Sequence, residues 1–599
     1  MTLWFRALFV FVLAGACLRV FFLFVYPQDL SLPGFSGIIF GLVNDAAAFA
    51  MVAGVVALAG YLGLYFFRAM VLVAIAVILI VGVAEVFFWQ EFQSRLDRLV
   101  FHYLAFPKEV LVFLDEQFYL SLLILPFCLL VWVIYLGLQR SGLDSHRAQH
   151  RPLWIVMGLI VLIWGEPLGQ SNGRVVSEFV SNGYLGVLKA ARYREDGVAW
   201  LQQPQAGQIL QRPRITDSSV DEIIKRELSQ KRHVMLIIEE SFAGPVWMDS
   251  VLREQYLPNF TKLSEQALDF SHMYAPGSRT TRGLEALLNG FMPLPGISTT
   301  QRAQAHKLPS LARGMQAGGF YPAFLYGGWP GFSNFSAYWQ GMGFAQIWTR
   351  EDFDEPFETS WGVADGALFD RILIEMSDLT QTNERVFLAT LTVSHHRPYD
   401  IPSGKIDYPS DERSSVYAMA YADHALGEFF RAAKKEAWFK DTLFIVAADH
   451  GLKPQGDALI PVGSYRIPML MFAEGMTPRK MSGMSSSISL PATLMHLFNI
   501  EHGEPFMGEN LLCDCDTIVP VEYGYHIGLL EREYLHVVRA DGQYAQWHYD
   551  ATDLSQTLSP SFEVESVDAR RRYRQRVIAA FAPAYQWFYG SDINGEPLL

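Results

Sequence analysis

Basic residues and cysteines are scarce in this chain. Its 599 residues include 47 Lys and Arg against 61 Asp and Glu, which gives a net charge of −14. Nucleic-acid-binding proteins normally present a basic face, so this balance argues against a nucleic-acid partner. The four cysteines show none of the spacings of a cysteine-rich zinc site. Neither class of protein is therefore expected.

The cysteines fall into two groups. Cys17 and Cys128 lie in apolar runs, where a cysteine behaves as a small hydrophobic residue. Cys513 and Cys515 form a Cys-x-Cys pair, and so short an offset strains a disulfide. The sequence leaves the oxidation state of this pair open.

Long stretches of the first 170 residues contain almost no charge. A helix needs roughly 20 apolar residues to cross a bilayer. Five segments meet this requirement, so we predict a five-helix transmembrane bundle over residues 1–170. The predicted spans are residues 5–26, 37–66, 69–90, 119–139 and 152–170.

Lys and Arg residues near the span ends predict the orientation. Arg6 precedes the first span and Arg68 separates the second from the third, whereas residues 27–36 contain no Lys or Arg. This bias favours a cytoplasmic N-terminus, so five spans put the chain after residue 170 outside the cytoplasm. We therefore predict a multi-pass protein of the bacterial cytoplasmic (inner) membrane with an extracytoplasmic, periplasmic domain.

Two ionisable residues interrupt the apolar runs. Arg19 and Asp45 lie within the first and second predicted spans, where a charge is costly and marks a functional candidate. One interpretation is that Arg19 reaches the membrane interface or pairs with Asp45 between helices. The alternative is contact with a lipid headgroup.

After residue 170 the composition becomes that of a soluble protein. Residues 171–214 form a polar linker with some helix, and residues 546–599 are predicted as a C-terminal helical tail. Between them, over residues 215–545, buried strands alternate with helical patterns, which predicts an α/β domain with a mainly parallel central sheet. The predicted strands are residues 233–238, 321–326, 386–393, 443–447 and 469–473.

Polar residues follow three of these elements, and parallel sheets bind ligands beyond the carboxyl ends of their strands. The first strand ends in Glu239 and Glu240, and since adjacent residues point to opposite faces, one of these carboxylates faces a shared site. A later strand ends in Asp449 and His450. The loop 277–283 enters a helix, whose start favours an anion, and a hydroxyl there is well placed to attack phosphorus.

Each feature alone is weak evidence, because a threonine at a helix start is commonly an N-cap. Their convergence on one sheet edge brings Glu, Thr, Asp and His together. Carboxylate and hydroxyl oxygens suit a hard divalent cation, and Mn²⁺ or Zn²⁺ also tolerates imidazole. The sequence therefore predicts a site for one divalent metal ion, with Mn²⁺ preferred and Mg²⁺ or Zn²⁺ as alternatives.

Several ordered motifs recur at fitting intervals along nearly the whole chain. They are Arg95-Leu-Asp-Arg-Leu99, Ile237-Ile-Glu-Glu-Ser241, Gly277-Ser-Arg-Thr280, Tyr326-Gly-Gly328, Ser394-His-His-Arg-Pro-Tyr399, Tyr421-Ala-Asp423, Asp449-His-Gly451, Arg466-Ile-Pro468 and Phe506-Met-Gly508. In this series the chain resembles the lipoteichoic-acid-synthase-like branch of the sulfatase and alkaline phosphatase superfamily. The resemblance implies an alkaline-phosphatase-like (sulfatase) fold for the α/β domain.

The resemblance also implies roles for the matching residues. Of the two strand-end glutamates it selects Glu240 as a metal ligand, together with Asp449 and His450. Thr280 matches the threonine that is both metal ligand and nucleophile, with Thr281 as the alternative.

The substrate-binding residues follow the resemblance less closely. His396, which precedes Arg-Pro-Tyr, matches a histidine that contacts the phosphate or headgroup. Some family members hold glycerol phosphate with a histidine, a tryptophan and an arginine, but here Tyr326 replaces the histidine and no arginine follows in that stretch. Trp329 and Asn334 either substitute for these residues or pack, and Arg282 is a further predicted substrate contact.

The resemblance implies metal-dependent transfer of a phosphoglycerol-type headgroup from a membrane phospholipid to a hydroxyl of an envelope glycan or lipid, through a phospho-threonine intermediate. Phosphatidylglycerol is the implied donor, and a phosphoethanolamine transferase is the close alternative. With water as acceptor, the same site gives a phosphodiesterase or sulfatase. The remaining alternative is a non-catalytic lipid-binding regulator, against which the complete set of predicted metal-site residues argues.

Overall fold

The computed structural model divides the chain into two compact units. The first comprises Met1–Gly197 with Gln455–Leu459, and the second comprises Val198–Pro454 with Ile460–Leu599. The predicted boundaries near residues 170, 214 and 545 stay predictions. The structure describes residues 3–25, 35–92, 94–96, 100, 132, 136, 151–164, 174–192, 201, 219–242, 244–302, 305–331, 335–355, 357–359, 361–408, 414–451, 458–501, 503–558 and 567–589.

Three long apolar helices dominate the first unit. They are Leu3–Val25, Phe35–Ala59 and Leu64–Phe92. Their apolar stretches of 19, 22 and 24 residues are long enough to cross a membrane. These helices coincide with the first three predicted spans.

The last two predicted spans are not matched in the same way. Residues 152–170 contain the helix Arg151–Trp164, whose 14 residues are fewer than the roughly 20 that a span needs. Residues 119–139 lie outside the described residues apart from positions 132 and 136. The count of five helices therefore stays a prediction.

Small residues let two helices of this unit approach each other closely. Gly54 faces Gly158, and a Cβ added at Gly158 would lie 3.1 Å from the Cα of Gly54. Nearby, Trp154 packs edge-on against Phe49 with ring centroids 5.3 Å apart. Close van der Waals packing of this kind holds apolar helices together in a lipid environment, where burial of apolar surface gives little driving force.

The two ionisable residues in the apolar runs pair with each other. The Arg19 guanidinium donates to Asp45 Oδ2 at 2.5 Å and to Asp45 Oδ1 at 2.9 Å. It also donates to the carbonyl oxygens of Gly41, Phe179 and Ser181. The predicted pair between helices is confirmed, and protein acceptors rather than a lipid headgroup occupy the Arg19 donors.

A segment that follows the helix Arg151–Trp164 in the chain packs onto this ion pair. It consists of the helices Arg174–Val180 and Gly183–Arg192. Between them, Asn182 Nδ2 donates to Asp45 Oδ1 at 2.8 Å. An unsatisfied polar group costs several kcal/mol in hydrocarbon, roughly the penalty that this bond avoids. The first part of the predicted linker is therefore helix held by a buried polar network.

Strands and helices alternate in the second unit, as predicted. The helices are Ser219–Leu228, Gly244–Met248, Ser250–Tyr256, Pro258–Ser264, Thr280–Leu287, Leu311–Ala317, Phe335–Gly341, Asp365–Thr382, Ser415–Ala433, Leu490–Leu497 and Val567–Tyr589. The strands are β1 (His233–Glu239), β2 (Leu268–Phe270), β3 (Met273–Tyr274), β4 (Tyr321–Tyr326), β5 (Gln346–Trp348), β6 (Glu358–Thr359), β7 (Gly362–Val363), β8 (Val386–Leu391), β9 (Thr442–Ala448), β10 (Arg466–Ile467), β11 (Met469–Phe472), β12 (Arg479–Met481), β13 (Ser485–Ser486), β14 (Val519–Tyr523), β15 (His526–Glu531), β16 (Tyr534–Val538), β17 (Tyr544–Tyr549) and β18 (Gln556–Leu558).

The main sheet has eight strands within the described residues, in the order β12-β2-β11-β9-β1-β8-β4-β5. β1 pairs in parallel with both β8 and β9, and β4 pairs in parallel with β8 and β5. β11 runs antiparallel to its neighbours β9 and β2. Every residue of β1, β8 and β9 is buried, because helices cover both faces of a mainly parallel sheet. The carboxyl ends of β9, β1, β8 and β4 therefore meet along one edge.

A second sheet, antiparallel and five-stranded in the described part of the chain, joins β14 to β18 in sequence order. The C-terminal half of helix Val567–Tyr589 is largely buried. Just before this sheet, Cys513 and Cys515 form a disulfide with their Cα atoms 5.3 Å apart. The structure thus resolves the oxidation state that the sequence left open.

We expect His233, at the start of β1, to make the second unit acid-sensitive. Burial, reinforced by Arg232, lowers the pKa of His233 from 6.5 to about 4, and its Nδ1 accepts the Val386 N–H at 3.2 Å. As the pH falls from 6.5 to about 4, the unfolded chain takes up a proton here that the folded chain does not bind. The free energy of unfolding therefore falls over this window.

The substitution His233→Asn tests this expectation, because asparagine keeps an acceptor oxygen and does not titrate. Between neutral pH and about pH 4.5, its unfolding temperature should fall less than that of the parent chain. Fluorescence-detected melting of the full chain in detergent measures both declines. Equal declines would show that His233 does not carry the effect.

Candidate metal and phosphoryl-transfer site

The carboxylate of Glu240 lies at the centre of a polar cluster beyond the carboxyl end of β1, and it is 1% exposed. Its Oε2 accepts the Thr280 hydroxyl at 3.1 Å and lies 3.2 Å from His396 Nε2. Its Oε1 accepts the Ser241 hydroxyl at 2.5 Å and lies 3.4 Å from His450 Nε2. One buried carboxylate therefore joins side chains from separate parts of the chain.

β9 delivers Asp449 and His450 to the same edge, because it is the direct neighbour of β1. Asp449 Oδ1 accepts the backbone N–H groups of Ser241 and His450 at 2.8 and 2.7 Å. The Nδ1 of His450 lies 2.8 Å from the carbonyl oxygen of Gly451, so it is the protonated nitrogen that donates there. This bond leaves His450 Nε2 facing the two carboxylates.

Thr280 is half-buried and opens the helix Thr280–Leu287. Gly283 in this helix lies against Asp449, and a Cβ added there would meet the Asp449 carbonyl oxygen at 2.5 Å. The absence of a side chain at Gly283 therefore lets the helix start approach the end of β9. Free N–H groups at a helix start favour an anion such as a phosphoryl group.

Ser241 ties the three candidate metal ligands together. Its backbone N–H donates to Asp449, and its hydroxyl contacts Glu240 and lies 3.3 Å from His450 Nε2. These contacts require a left-handed backbone, with φ at 53°, which a residue with a Cβ adopts at a cost of about 1 kcal/mol. Strain of this kind persists only where the surrounding contacts impose it.

The charges of the cluster are strongly coupled. Burial opposes ionisation of Glu240, but His396 and His450 outweigh it and hold the pKa of Glu240 well below its usual range. Burial, followed by the charge of Glu240, raises the pKa of Asp449 to about 7. Burial also opposes the charged form of His450, yet Asp449 and Glu240 raise its pKa to about 9. The two acids therefore stabilise any positive charge placed between them.

The donor set fits a divalent cation. Glu240, Asp449 and His450 each offer one ligand atom, and these atoms lie within 4.8 Å of one another. Asp449 Oδ2 is buried and accepts no hydrogen bond from any residue that the structure describes. A buried oxygen of this kind needs a partner, and a mixed oxygen and nitrogen set suits Mn²⁺ or Zn²⁺. These residues are therefore able to hold one metal ion.

Two histidines follow β8 and differ in their surroundings. His396 has a side chain that is 23% exposed, and its ring stacks on Trp361 with centroids 4.0 Å apart. His395 is buried, and its two ring nitrogens lie 3.2 Å from the Glu240 carbonyl oxygen and 2.9 Å from Ser415 Oγ. A substrate can therefore reach His396, whereas His395 supports the backbone around Glu240.

The alternatives Glu239 and Thr281 differ in their surroundings from Glu240 and Thr280. Glu239 accepts the Thr392 hydroxyl at 3.1 Å, and burial, followed by Asp365, raises the pKa of Glu239 well above its usual range. Thr281 is 8% exposed, whereas the Thr280 hydroxyl contacts Glu240. The structure thus brings Glu240 and Thr280 together, as the resemblance implied.

The contacts of Arg282 do not support the predicted contact with substrate. Its guanidinium is 2% exposed and donates to Glu522 at 2.9 Å and to Glu285 at 2.6 Å. The remaining donor nitrogen bonds the carbonyl oxygens of Leu294 and Gly296. Arg282 therefore anchors the helix Thr280–Leu287 to β14, a role that motif spacing alone does not reveal.

The last two predicted substrate contacts have different outcomes. Trp329 follows β4 and is 40% exposed, with the Arg350 guanidinium 5.6 Å from its ring centroid. Trp329 therefore keeps surface on which a ligand could bind. Asn334 lies outside the described residues.

Sequence reasoning missed residues that hold the cluster from behind. The Glu240 N–H donates to Thr392 Oγ1 at 2.9 Å, and Asp365 Oδ1 accepts the N–H groups of Val393 and Ser394 at 3.0 Å. No spacing in the sequence connects these positions. Ser241 differs from these residues, because its position directly after Glu240 is visible in the sequence.

Removing the Ser241 hydroxyl should weaken metal binding. We expect Ser241→Ala to lower the affinity for Mn²⁺ by about 10- to 100-fold, because groups that orient metal ligands typically contribute this much. Calorimetric titration of the metal-stripped full chain measures this change. Ser241→Gly should lose similar affinity but unfold at a higher temperature than Ser241→Ala, since glycine tolerates positive φ. Unchanged affinity in both variants would contradict the role of the hydroxyl.

Comparisons with known proteins agree with this geometry. A family model described as Sulfatase matches residues 232–500. Phosphoglycerol transferase I of Salmonella paratyphi B is 27% identical over 209 residues, which cover 32% of this chain and 27% of that protein. The chain thus spans about a quarter of the length of the curated relatives that it matches.

Solved structures resemble the second unit. An alkaline phosphatase superfamily protein from Vibrio parahaemolyticus is 29% identical with a TM-score of 0.55, over 61% of this chain and 89% of that one. The lipoteichoic acid synthase LtaP from Listeria monocytogenes is 20% identical with a TM-score of 0.50, over 60% of this chain and 93% of that one; this likeness concerns the fold. Residues 232–500 therefore match the Sulfatase family model, the chain is similar in fold to an alkaline phosphatase superfamily protein, and apolar helices precede this stretch.

Proposed function

We propose that this chain is a membrane-anchored transferase that moves a phosphoglycerol group from phosphatidylglycerol to a hydroxyl acceptor of the cell envelope. The observation that carries the proposal is the hydrogen bond of 3.1 Å between Thr280 Oγ1 and Glu240 Oε2, beside Asp449 and His450. It joins an alcohol nucleophile to a cation-binding cluster. Both are requirements for attack on a phosphodiester at neutral pH.

Glu240, Asp449 and His450 would hold one divalent cation, with Thr280 as a further oxygen ligand. Mn²⁺ is our first choice, because the set combines oxygen donors with an imidazole nitrogen. When bound, such a cation lowers the pKa of a coordinated hydroxyl and stabilises charge on phosphoryl oxygens. The protein's own contribution is a buried and fixed donor set that needs little rearrangement during the reaction.

In the first step, Thr280 forms a bond from Oγ1 to phosphorus and diacylglycerol leaves with the bridging oxygen. The Thr280 hydroxyl, which donates to Glu240 Oε2 in the structure, releases its proton to solvent as this bond forms. The N–H groups at the start of helix Thr280–Leu287 favour the negative charge of the phosphoryl group. The product is phosphoglycerol esterified to Thr280.

His396 is the residue that we assign to the leaving group. Its side chain is 23% exposed and its Nε2 lies 3.2 Å from Glu240, so it borders both the buried cluster and solvent. From this position it can protonate the departing diacylglycerol oxygen, and it can accept the proton of the incoming hydroxyl in the second step. That hydroxyl then attacks phosphorus, the bond from phosphorus to Thr280 Oγ1 breaks, and Thr280 regains its proton from solvent.

The apolar helices of the first unit support a lipid donor, because they confine the chain to the bilayer that contains the donor. We propose that the N-terminus is cytoplasmic and that the α/β domain lies outside the cytoplasm. The similarity to phosphoglycerol transferase I favours phosphoglycerol over phosphoethanolamine as the transferred group. The acceptor is a hydroxyl of an envelope glycan or lipid.

Intact-protein mass spectrometry after incubation with phosphatidylglycerol and Mn²⁺ tests the covalent step. We expect the parent chain to gain one phosphoglycerol group and Thr280→Ala to gain none, because alanine lacks the attacking oxygen. Thr281→Ala is the matched control, since it removes the neighbouring hydroxyl, and it should still form the adduct. An adduct on Thr280→Ala, or turnover equal to that of the parent, would refute the role of Thr280.

The fate of the transferred group separates a transferase from a hydrolase. We expect lipid and water-soluble products to show diacylglycerol release with the phosphoglycerol group on an added alcohol acceptor. Release of free glycerol phosphate at the same rate, whatever the acceptor concentration, would instead assign a phosphodiesterase. Reaction with phosphatidylethanolamine in preference to phosphatidylglycerol would change the donor but not the site chemistry.

A further inference from the structure

Trp361 packs face to face on the imidazole of His396. The two ring centroids lie 4.0 Å apart and the planes differ by 11°. The indole Nε1–H also donates to the carbonyl oxygen of Arg397 at 2.5 Å. One side chain therefore contacts both the ring of His396 and the backbone directly after it.

The hairpin that carries Trp361 is held firmly against the edge of the main sheet. At the start of β7, Gly362 has a φ of 145°, and a Cβ there would lie 2.1 Å from the Gly327 carbonyl oxygen. The Val363 N–H donates to that same carbonyl oxygen at 3.0 Å. Glu358 accepts Arg350 Nε at 2.7 Å. These contacts tie the hairpin to the residues that follow β4 and β5.

The residues just after the hairpin hold the other end of the His396 loop. Asp365 Oδ1 accepts the N–H groups of Val393 and Ser394, and Ser394 Oγ accepts the Asp365 N–H at 2.9 Å. The segment 361–365 therefore contacts the loop 393–397 at its start and at its end. His396 lies within this loop and is partly exposed.

We propose that Trp361 is a positioning residue that holds the His396 imidazole in the orientation needed for phosphoryl transfer. The inference rests on the proposed function, in which His396 serves the leaving group. A stacked aromatic pair prefers a defined geometry, and a shift of about 1 Å in a catalytic group can cost roughly 100-fold in rate. Trp361 acts through His396 and needs no contact with the reacting atoms.

A double-mutant cycle on the full chain tests this coupling. Trp361→Ala should lower kcat by about 10- to 100-fold with KM within about twofold, since orientation in the transition state is lost rather than binding. His396→Ala should lower kcat by about 100-fold or more. The double variant should lie within about twofold of His396→Ala alone, because the stack has no remaining partner. If the kcat losses of the two single variants multiplied in the double variant, the proposal would be overturned.

Two further variants separate positioning from folding. Trp361→Phe keeps a stacking ring without the indole N–H and should stay within about threefold of the parent chain. Tyr573→Ala removes a stack of the same kind, with centroids 4.5 Å apart, on His536 in the C-terminal sheet. It should lose stability but keep kcat. Equal losses of kcat in Tyr573→Ala and Trp361→Ala would point to a general folding defect and overturn the proposal.

Two readouts keep this test distinct from the proposed function. Rates are measured with phosphatidylglycerol and with bis(p-nitrophenyl) phosphate, a diester without a lipid headgroup. Activity on bis(p-nitrophenyl) phosphate alone would refute the proposed lipid donor. The double-mutant cycle could still be measured with that substrate. Diethyl pyrocarbonate modification of His396, followed by peptide mass spectrometry, needs no turnover. Trp361→Ala should speed the modification of His396 at least about threefold, because one face of the imidazole ring becomes uncovered. An unchanged modification rate would overturn the positioning role even in an inactive chain.

Discussion

The buried carboxylate of Glu240 is the constraint on which the site depends. A carboxylate removed from water costs several kcal/mol, by order of magnitude, unless charged or hydrogen-bonding partners surround it. Here the partners come from Ser241, Thr280, His396 and His450. The sheet order β9-β1-β8 makes three of them neighbours, since Ser241, His396 and His450 follow these strands. Satisfying one charge in the core therefore assembles the candidate metal ligands around the carboxyl end of β1.

The sequence predicted the long elements of the fold because their burial leaves a direct pattern. β1, β4, β8, β9 and β11 match the predicted strands, since strands covered on both faces are continuous apolar runs. Two-residue strands such as β6 and β7 were not predicted, because they are too short to show any period. In the first unit, the helix Arg151–Trp164 overlaps the start of the predicted span 152–170, and the rest of that span lies outside the described residues.

The candidate ligands could be predicted from the sequence, because strand ends and helix starts are recognisable there and indicate where side chains converge. The residues that orient them were not. Trp361 reaches His396 through a hairpin whose position depends on a bridge between Gly328 and Gly362, and no local pattern encodes that bridge. Arg282 was predicted as a substrate contact because of its place in the sequence. A charged residue inside a functional motif resembles a substrate contact, and its burial becomes visible once distant acids such as Glu522 are brought next to it.

The bond between Arg282 and Glu522 joins positions that are 240 residues apart. A ribosome adds β14 long after it has added the helix that carries Thr280. Until that strand arrives, the nascent chain lacks one of the two acids that neutralise the buried guanidinium. The helix that carries Thr280 therefore gains this anchor late in synthesis, and a chain that stops before β14 contains Glu240, Asp449 and His450 without it.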